Sequence, residues 1–310
     1  MTIVIKEYPV AENLIEKGYI LSFQDDHFQL LNGQECNVND WKYYNVYEDN
    51  TILYDGLVFE EKQHGYGIEY YPKKGYYKGE FSNGKRHGKG TLCFDSGISY
   101  TGDFLDDKFH GYGIYHSKNG STYQGDFYEN FFQGKGIFTW SNGDYAKGIF
   151  FQDKMNGTGK LIYKEGGVYE GNFENDTFSG KGTYLFPNGK KYSGDFKDDY
   201  FQGKGELRDE SGNLFQGDFS LGKYNGNGVY LKINGQKHTG KWKCGLKEGY
   251  GECVFPNGEI YKGYWQNDVR HGTGYKIKGN LVKRVTFRHN KKKSEENIPY
   301  SEFEKIKFKL

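Results

Sequence analysis

The chain has 310 residues, 46 of them glycine, 29 tyrosine and 24 phenylalanine, with 42 Lys and Arg against 41 Asp and Glu. A formal net charge of +1 gives no electrostatic case for nucleic acid, and no run of about 18 apolar residues offers a membrane-spanning helix. The four cysteines (Cys36, Cys93, Cys244 and Cys253) show no framework spacing and fit free thiols in a reducing compartment. The opening residues lack the charged and apolar regions of a signal peptide, so a cytoplasmic protein is expected.

Residues 1–51 carry no repeat and are expected to form a divergent N-terminal cap. Val10 to Lys17 reads as a short helix ended by Gly18, and Tyr19 to Leu31 as a hairpin. From Gly56 onward the chain repeats. A Tyr-x-Gly glycine recurs every 23 residues, at Gly56, Gly79, Gly102, Gly125, Gly148, Gly171, Gly194, Gly217, Gly240 and Gly263. Taking it as position 0, glycines at +9 and +11 occur in all ten copies. Such a period marks a repeat array of stacked supersecondary units.

Position +2 is aromatic in nine copies and −2 is Tyr or Phe in eight, Ala146 and His238 being the exceptions at −2. Side chains alternate along a strand, so −2, 0 and +2 share one face. Position +1 takes the other, where Glu80, Asp103, Asp126, Asp195 and Asp218 stand. That is the pattern of a half-buried strand. A second strand runs through +9, +11 and +13. Position +5 is Gly, Asp or Asn in nine copies, residues that tolerate a positive φ in a tight turn.

Within each hairpin +1 is expected to face +10 (Glu80 with Lys89, Asp126 with Lys135) and each +2 ring to cover the glycine at +9. Gly134 and Gly136 should then both face the buried side, with Phe127 over Gly134. Copies join at +18, a glycine in eight cases, where a three-residue loop with left-handed Gly keeps the next aromatics inward. The fold class that follows is all-β: an elongated array of about ten consecutive β-hairpins in one long twisted antiparallel sheet, over residues 52–279. Residues 280–310 hold nine Lys or Arg and four Glu and read as a basic C-terminal tail, whose last residues suit either a helix from Ser301 or an edge strand.

Catalytic chemistry finds no foothold in the pattern. His64, His87, His110 and His271 all sit at +8, which elsewhere is Gln, Asn, Ser or Glu, so they read as polar turn residues rather than metal ligands. Gly-x-Gly recurs inside a strand and no strand-to-helix phosphate loop accompanies it. No catalytic residue, metal, cofactor or small-molecule substrate is expected.

Tyr-x-Gly-x-Phe/Trp, a turn, then Gly-x-Gly at this period resembles the MORN repeat (membrane occupation and recognition nexus) and covers about three quarters of the chain. The resemblance implies an extended β array that scaffolds assemblies or tethers membranes, as in radial spoke head proteins and cytoskeletal scaffolds. It implies a non-enzymatic protein of the cytoplasm, cilium or cytoskeleton, whose partners are other proteins of an assembly or a second copy in a homodimer. Candidate partner-binding residues are those that break the outer-face rule: Leu57 and Tyr264 at +1, and Tyr66, Tyr112 and Tyr250 at +10. The expected register sets Leu57 against Tyr66. The alternative function is an anionic-membrane or phosphoinositide-binding module, with Lys283, Arg284, Arg288, Lys291, Lys292 and Lys293 as candidate lipid contacts.

Overall fold

The structure is a computed structural model that describes residues 3–8, 20–24, 27–30, 35–37 and 41–306. Among the described residues, 24 strands pair antiparallel in one open sheet, most of them joined to the next as hairpins. Contacts divide the chain into a unit ending at Lys154 and a unit beginning at Met155; each is described by itself.

In the first unit the strand Ile3–Tyr8 pairs with Lys42–Glu48, which pairs in turn with Thr51–Phe59 of the first copy. The expected N-terminal hairpin is present as Ile20–Gln24 with His27–Leu30, and Glu35–Asn37 adds a third strand in a separate small sheet. The helix expected over Val10 to Lys17 lies outside the described residues.

Within each unit the repeats are built alike, and the Gly79 copy shows how. Its strands are Gly75–Ser82 and Lys85–Phe94. The turn between them holds Asn83 and Gly84, both at positive φ (52° and 80°), as a two-residue hairpin turn requires. The pairing differs from the expected one. Gly79 faces Gly90, but Glu80 then faces His87 and Phe81 faces Arg86. A bulge after the central glycine leaves +9 and +10 without partners in their own hairpin. They pair instead with the following copy, Gly88 with Phe104 and Lys89 with Asp103. So +1 does meet +10 and +2 does meet +9, across the junction between copies. The bulge stitches each hairpin to the next.

The loops between copies have the expected length. Gly120 donates to the Ser117 carbonyl and Ser117 to the Ser121 carbonyl, with Gly120 at φ 86°. This three-residue loop with a left-handed glycine recurs at Gly143, Gly166 and Gly189.

The ring that covers the glycines is the tyrosine at −2. A Cβ on Gly90 would lie 2.3 Å from the Tyr77 hydroxyl, and one on Gly136 would lie 2.4 Å from that of Tyr123. The ring rests on the glycine pair at 0 and +11, and its hydroxyl donates to the carbonyl at +1 (Tyr77 to Glu80, Tyr123 to Asp126, Tyr192 to Asp195). Its other face is covered by the residue at +7. Phe109 stacks on Tyr100 at 3.9 Å, Phe132 on Tyr123 at 3.9 Å, Phe178 on Tyr169 at 3.7 Å and Phe201 on Tyr192 at 3.8 Å. The +2 rings of its own and the next copy meet its edges, as Phe104 and Phe127 meet Tyr100 at 5.1 and 5.0 Å. Such ring pairs contribute about 0.5–1.5 kcal/mol each beyond the area they bury.

Position +5 does more than turn the chain. The Asp107 carboxylate accepts the Arg86 N–H at 2.9 Å, and Asn130 accepts that of Phe109 at 2.8 Å. The same bond runs from Phe178 to Asp199 and from Lys247 to Asp268 in the second unit. Where +5 is Asp or Asn, the turn therefore caps a strand of the copy before it.

The C-terminal residues form another hairpin rather than a tail. Leu281–Arg288 pairs with the tenth copy and Lys291–Ile298 closes on it. Val285 faces Gly274 in the place of a central glycine, 22 residues after Gly263, because Gly279 and Asn280 make a two-residue loop. Of the two readings left open for the last residues, the helical one fits the described part, with a short helix at Tyr300–Phe303.

Gly134 corrects the expectation set for it. It sits in the bulge at φ 64°, opposite Phe150 of the next copy, and a Cβ there would run into the Asp126 carboxylate at 2.7 Å. Gly136 is the one under a ring. Replacing Gly136 with Val is expected to lift Tyr123 from the glycine pair and to cost about 1–3 kcal/mol. Despite the better strand propensity of Val, hydrogen exchange should speed up in Thr122–Tyr128 and Phe131–Thr139, while strands of the second unit hold. An unchanged melting temperature would show that this glycine carries no ring.

Candidate functional site

The outer face is set by the +1 carboxylate. One oxygen accepts the N–H at +10 of its own copy, at 3.0 Å in Glu80 with Lys89, Asp103 with Tyr112, and Asp195 with Lys204. The carboxylate thereby caps the bulge. Its other oxygen meets the lysine at +10 of the preceding copy, at 2.5 Å in Lys89–Asp103, Lys181–Asp195 and Lys204–Asp218. These lysines are about 70% exposed, so each pair is worth only ~0.2–1 kcal/mol.

The sequence-selected residues do not form one site. Leu57 is fully buried, not exposed: Tyr43 of Lys42–Glu48 lies opposite it, is buried too, and donates to Asp55. Leu57 does not meet Tyr66, since Tyr66 faces Glu80 of the next copy and donates to it at 3.4 Å. Tyr112 is half-exposed. Tyr250 and Tyr264 are brought together, facing each other across the junction with rings 5.5 Å apart.

Among the basic residues, Lys283 and Lys292 both pair with Glu295, and Arg284 pairs with Glu296 at 3.0 Å and Glu302 at 3.7 Å. Lys292 and Lys283 hold the Glu295 carboxyl down at about 2. Arg288, Lys291 and Lys293 are exposed at the end of that hairpin.

A larger feature lies outside the positions that the sequence pattern selects. Positions +3 and +6 flank the hairpin turn. Both are polar or charged in three copies, Ser82 and Lys85, Glu174 and Thr177, Ser220 and Lys223, and single apolar residues stand at Phe59, Tyr200, Leu246 and Val269. In three successive copies of the first unit they are Leu105, Tyr128 with Phe131, and Phe151, each 42–55% exposed. Tyr128 faces Phe131 across its hairpin, and the His110 ring lies 5.2 Å from Tyr128. Copies stand two strands apart, so Leu105, Tyr128 and Phe151 form a row with a spacing of roughly 10 Å. Tyr112 extends it. Tabulating +3 and +6 down the repeat would have revealed the run.

With this geometry the profile of the MORN repeat matches ten consecutive segments, beginning with 54–76 and ending with 261–280. The chain belongs to the MORN-repeat family. No curated protein matches it. Among solved structures, the TCP domain of SAS-4 from Drosophila melanogaster, in complex with a proline-rich motif of Ana2, is 13% identical over 48% of this chain and 81% of its own, at a TM-score of 0.31. The TCP10c domain of Drosophila melanogaster Sas-4 is 11% identical over 58% and 93%, at 0.26. A streptogramin B lyase is 10% identical over 96% and 87%, at 0.15. Superpositions this loose carry no argument about function.

Apart from Glu295, Tyr71 and Tyr250, the strongly shifted titratable groups lie among the packed rings of the inner face. Burial pushes the Tyr169, Tyr224 and Tyr261 phenols up to about 12. His238 takes the place of the −2 tyrosine and is 2% exposed, with neither ring nitrogen hydrogen-bonded. Trp242 and Trp265 lie 5.4 and 5.0 Å from it. Burial, helped by Lys247, pushes its imidazole down from 6.5 to about 3. Folding thus holds it neutral, and this contribution to stability is complete above pH 6.5 and fades as pH falls toward 3. Replacing His238 with Tyr restores the hydroxyl that reaches the +1 carbonyl elsewhere. The variant is expected to melt higher than the parent at pH 7, with a gap that widens toward pH 4. Parallel pH curves for the two proteins would contradict the buried neutral histidine.

Proposed function

We propose that this MORN array is a non-enzymatic scaffold that binds other proteins on its outer face. Membership of the family makes it a repeat scaffold or binding module; the finer reading rests on one observation. Leu105, Tyr128, Phe131 and Phe151 stand half-exposed in three successive copies, where elsewhere at most one apolar residue per copy occurs at these positions. The hairpin does not require them, since Ser82 faces Lys85 and Glu174 faces Thr177 at the same positions in other copies. Large side chains of this kind leave roughly 100 Å² each in water, and the four together approach about 400 Å², a size that marks interaction sites on soluble proteins. Exposed aromatic residues are favoured anchors in protein interfaces. The setting we favour, on the family resemblance alone, is a ciliary (radial spoke-like) or cytoskeletal assembly in the cytoplasm.

Substituting Tyr128→Ser together with Phe131→Lys gives these positions residues that other copies already carry, so the array should stay folded. In the source cell, partners cross-linked to the parent protein are expected to be lost from this variant and kept by a control with Glu174→Ser and Thr177→Lys. Identical partner sets for all three would remove the patch as the docking surface.

The membrane reading keeps one supporting observation, the exposed Arg288, Lys291 and Lys293 at one hairpin end. Each such charge near an anionic surface is worth about 1 kcal/mol. Because Lys283, Arg284 and Lys292 are already ion-paired, the chain is expected to stay in the supernatant when vesicles of phosphatidylserine and phosphatidylcholine are pelleted at 0.15 M salt. Pelleting that is abolished by Arg288→Gln, Lys291→Gln and Lys293→Gln together would make it a membrane tether instead.

A further inference from the structure

The carboxylate at +1 has two oxygens and two partners in most of the copies that carry it. Asp126 has one. Its Oδ2 accepts the Lys135 N–H at 3.0 Å, so its bulge is capped. The residue facing it from the preceding copy is Tyr112, where Asp103, Asp195 and Asp218 face lysine. Tyr112 does not replace the lysine. Its hydroxyl accepts the Gln124 amide N–H at 2.7 Å. The other tyrosine in this position, Tyr66, behaves differently: it turns its hydroxyl to Glu80 at 3.4 Å. Asp126 is exposed, and no ion pair reaches it among the described residues.

The surroundings of Asp126 are unusual for a surface carboxylate. Tyr112 stands across from it, 50% exposed. Tyr128 follows on the same strand and the same face, 55% exposed, with Phe131 beyond. A cation brought to Asp126 would meet a carboxylate oxygen with an aromatic side chain across from it and another two residues along its strand, and aromatic rings attract cations. The rings also shed water from the pair, which strengthens it relative to a bare surface pair. The array displays the matching chemistry three times over, in the ammonium groups of Lys89, Lys181 and Lys204, each 2.5 Å from its aspartate.

We propose that Asp126, with Tyr112 and Tyr128, receives a lysine or arginine side chain of a protein partner, and that apolar residues beside that basic residue cover Tyr128, Phe131 and Leu105. This rests on the reading of the patch as a docking surface and names what docks there: a segment with a basic residue set among large apolar ones. The partner supplies the cation that the preceding copy supplies elsewhere.

A random peptide library displayed on phage, selected on the immobilised full-length protein, tests it. Enriched peptides are expected to share a Lys or Arg beside large apolar residues. Synthesised singly, they should bind Asp126→Asn about tenfold more weakly than the parent and Asp195→Asn equally well. Asparagine keeps an oxygen for the Lys135 N–H, so the bulge stays capped while the charge is gone. Affinity should fall as salt rises for the parent and much less for Asp126→Asn. Peptides without a basic residue, or peptides indifferent to Asp126→Asn yet lost by Tyr128→Ser with Phe131→Lys, would overturn the cation site while leaving the patch in place. Peptides indifferent to both changes, or no enrichment at all, would overturn the patch as well.

Discussion

One contact organises each unit: a tyrosine ring lying on two facing glycines. The glycines at 0 and +11 have no side chain because the ring needs the space, and a Cβ at either would stand about 2.5 Å from ring atoms. The ring in turn covers backbone that a pair of glycines would leave wet. Its hydroxyl ties down the carbonyl at the bulge, and the +7 ring closes it from above. Rings at +2 meet its edges from two successive copies. A single side chain thus joins both strands of its own hairpin and one strand of the next.

That arrangement explains which positions are constrained. Positions −2, 0, +2 and +11 serve the ring. The bulge needs +9 as a glycine, since φ there is positive in copy after copy, and its +10 N–H draws an acid to +1. The turn needs +4 and +5 at positive φ, and +5 also caps the preceding copy. Positions +3 and +6 answer to none of these demands. Their composition is therefore free of these demands, and on the proposed reading the run of four large apolar side chains there answers to a partner. Asp126 is informative for the same reason: the fold uses one of its oxygens and leaves the other to water.

Much of the hairpin array is legible in the amino-acid sequence, because its signals are local. Glycine spacing, alternating rings and turn residues each act within a few residues of themselves. The register is legible only in part. Sequence pairs +1 with +10 correctly, but nothing local says that the bulge hands +10 to the next copy. The stacking position at +7 stays hidden because Phe, Tyr, Met, Arg, Lys and Gln all occur there; rings, long chains and guanidinium groups can each lie on a ring. The final hairpin is hidden because Val285 replaces its glycine and its loop is one residue short. Leu57 is misjudged because a strand from outside the repeat lies against it. The apolar patch is in plain view at +3 and +6, and reading only the positions that repeat conceals those that do not.

The glycine–ring contact can be observed directly. An aromatic ring shifts the resonances of protons held against its face. In a proton–carbon correlation spectrum of glycine-labelled protein, the α-protons of Gly125, Gly136, Gly171 and Gly182 are expected well upfield of their usual range, returning to it when Tyr123 or Tyr169 of the same copy is replaced by leucine. Gly134 in the bulge and Gly120 in the loop between copies should stay near that range throughout. If glycines at 0 and +11 resonate with the loop glycines, no ring lies over them, and the basis of the register, the bulge and the outer face is lost.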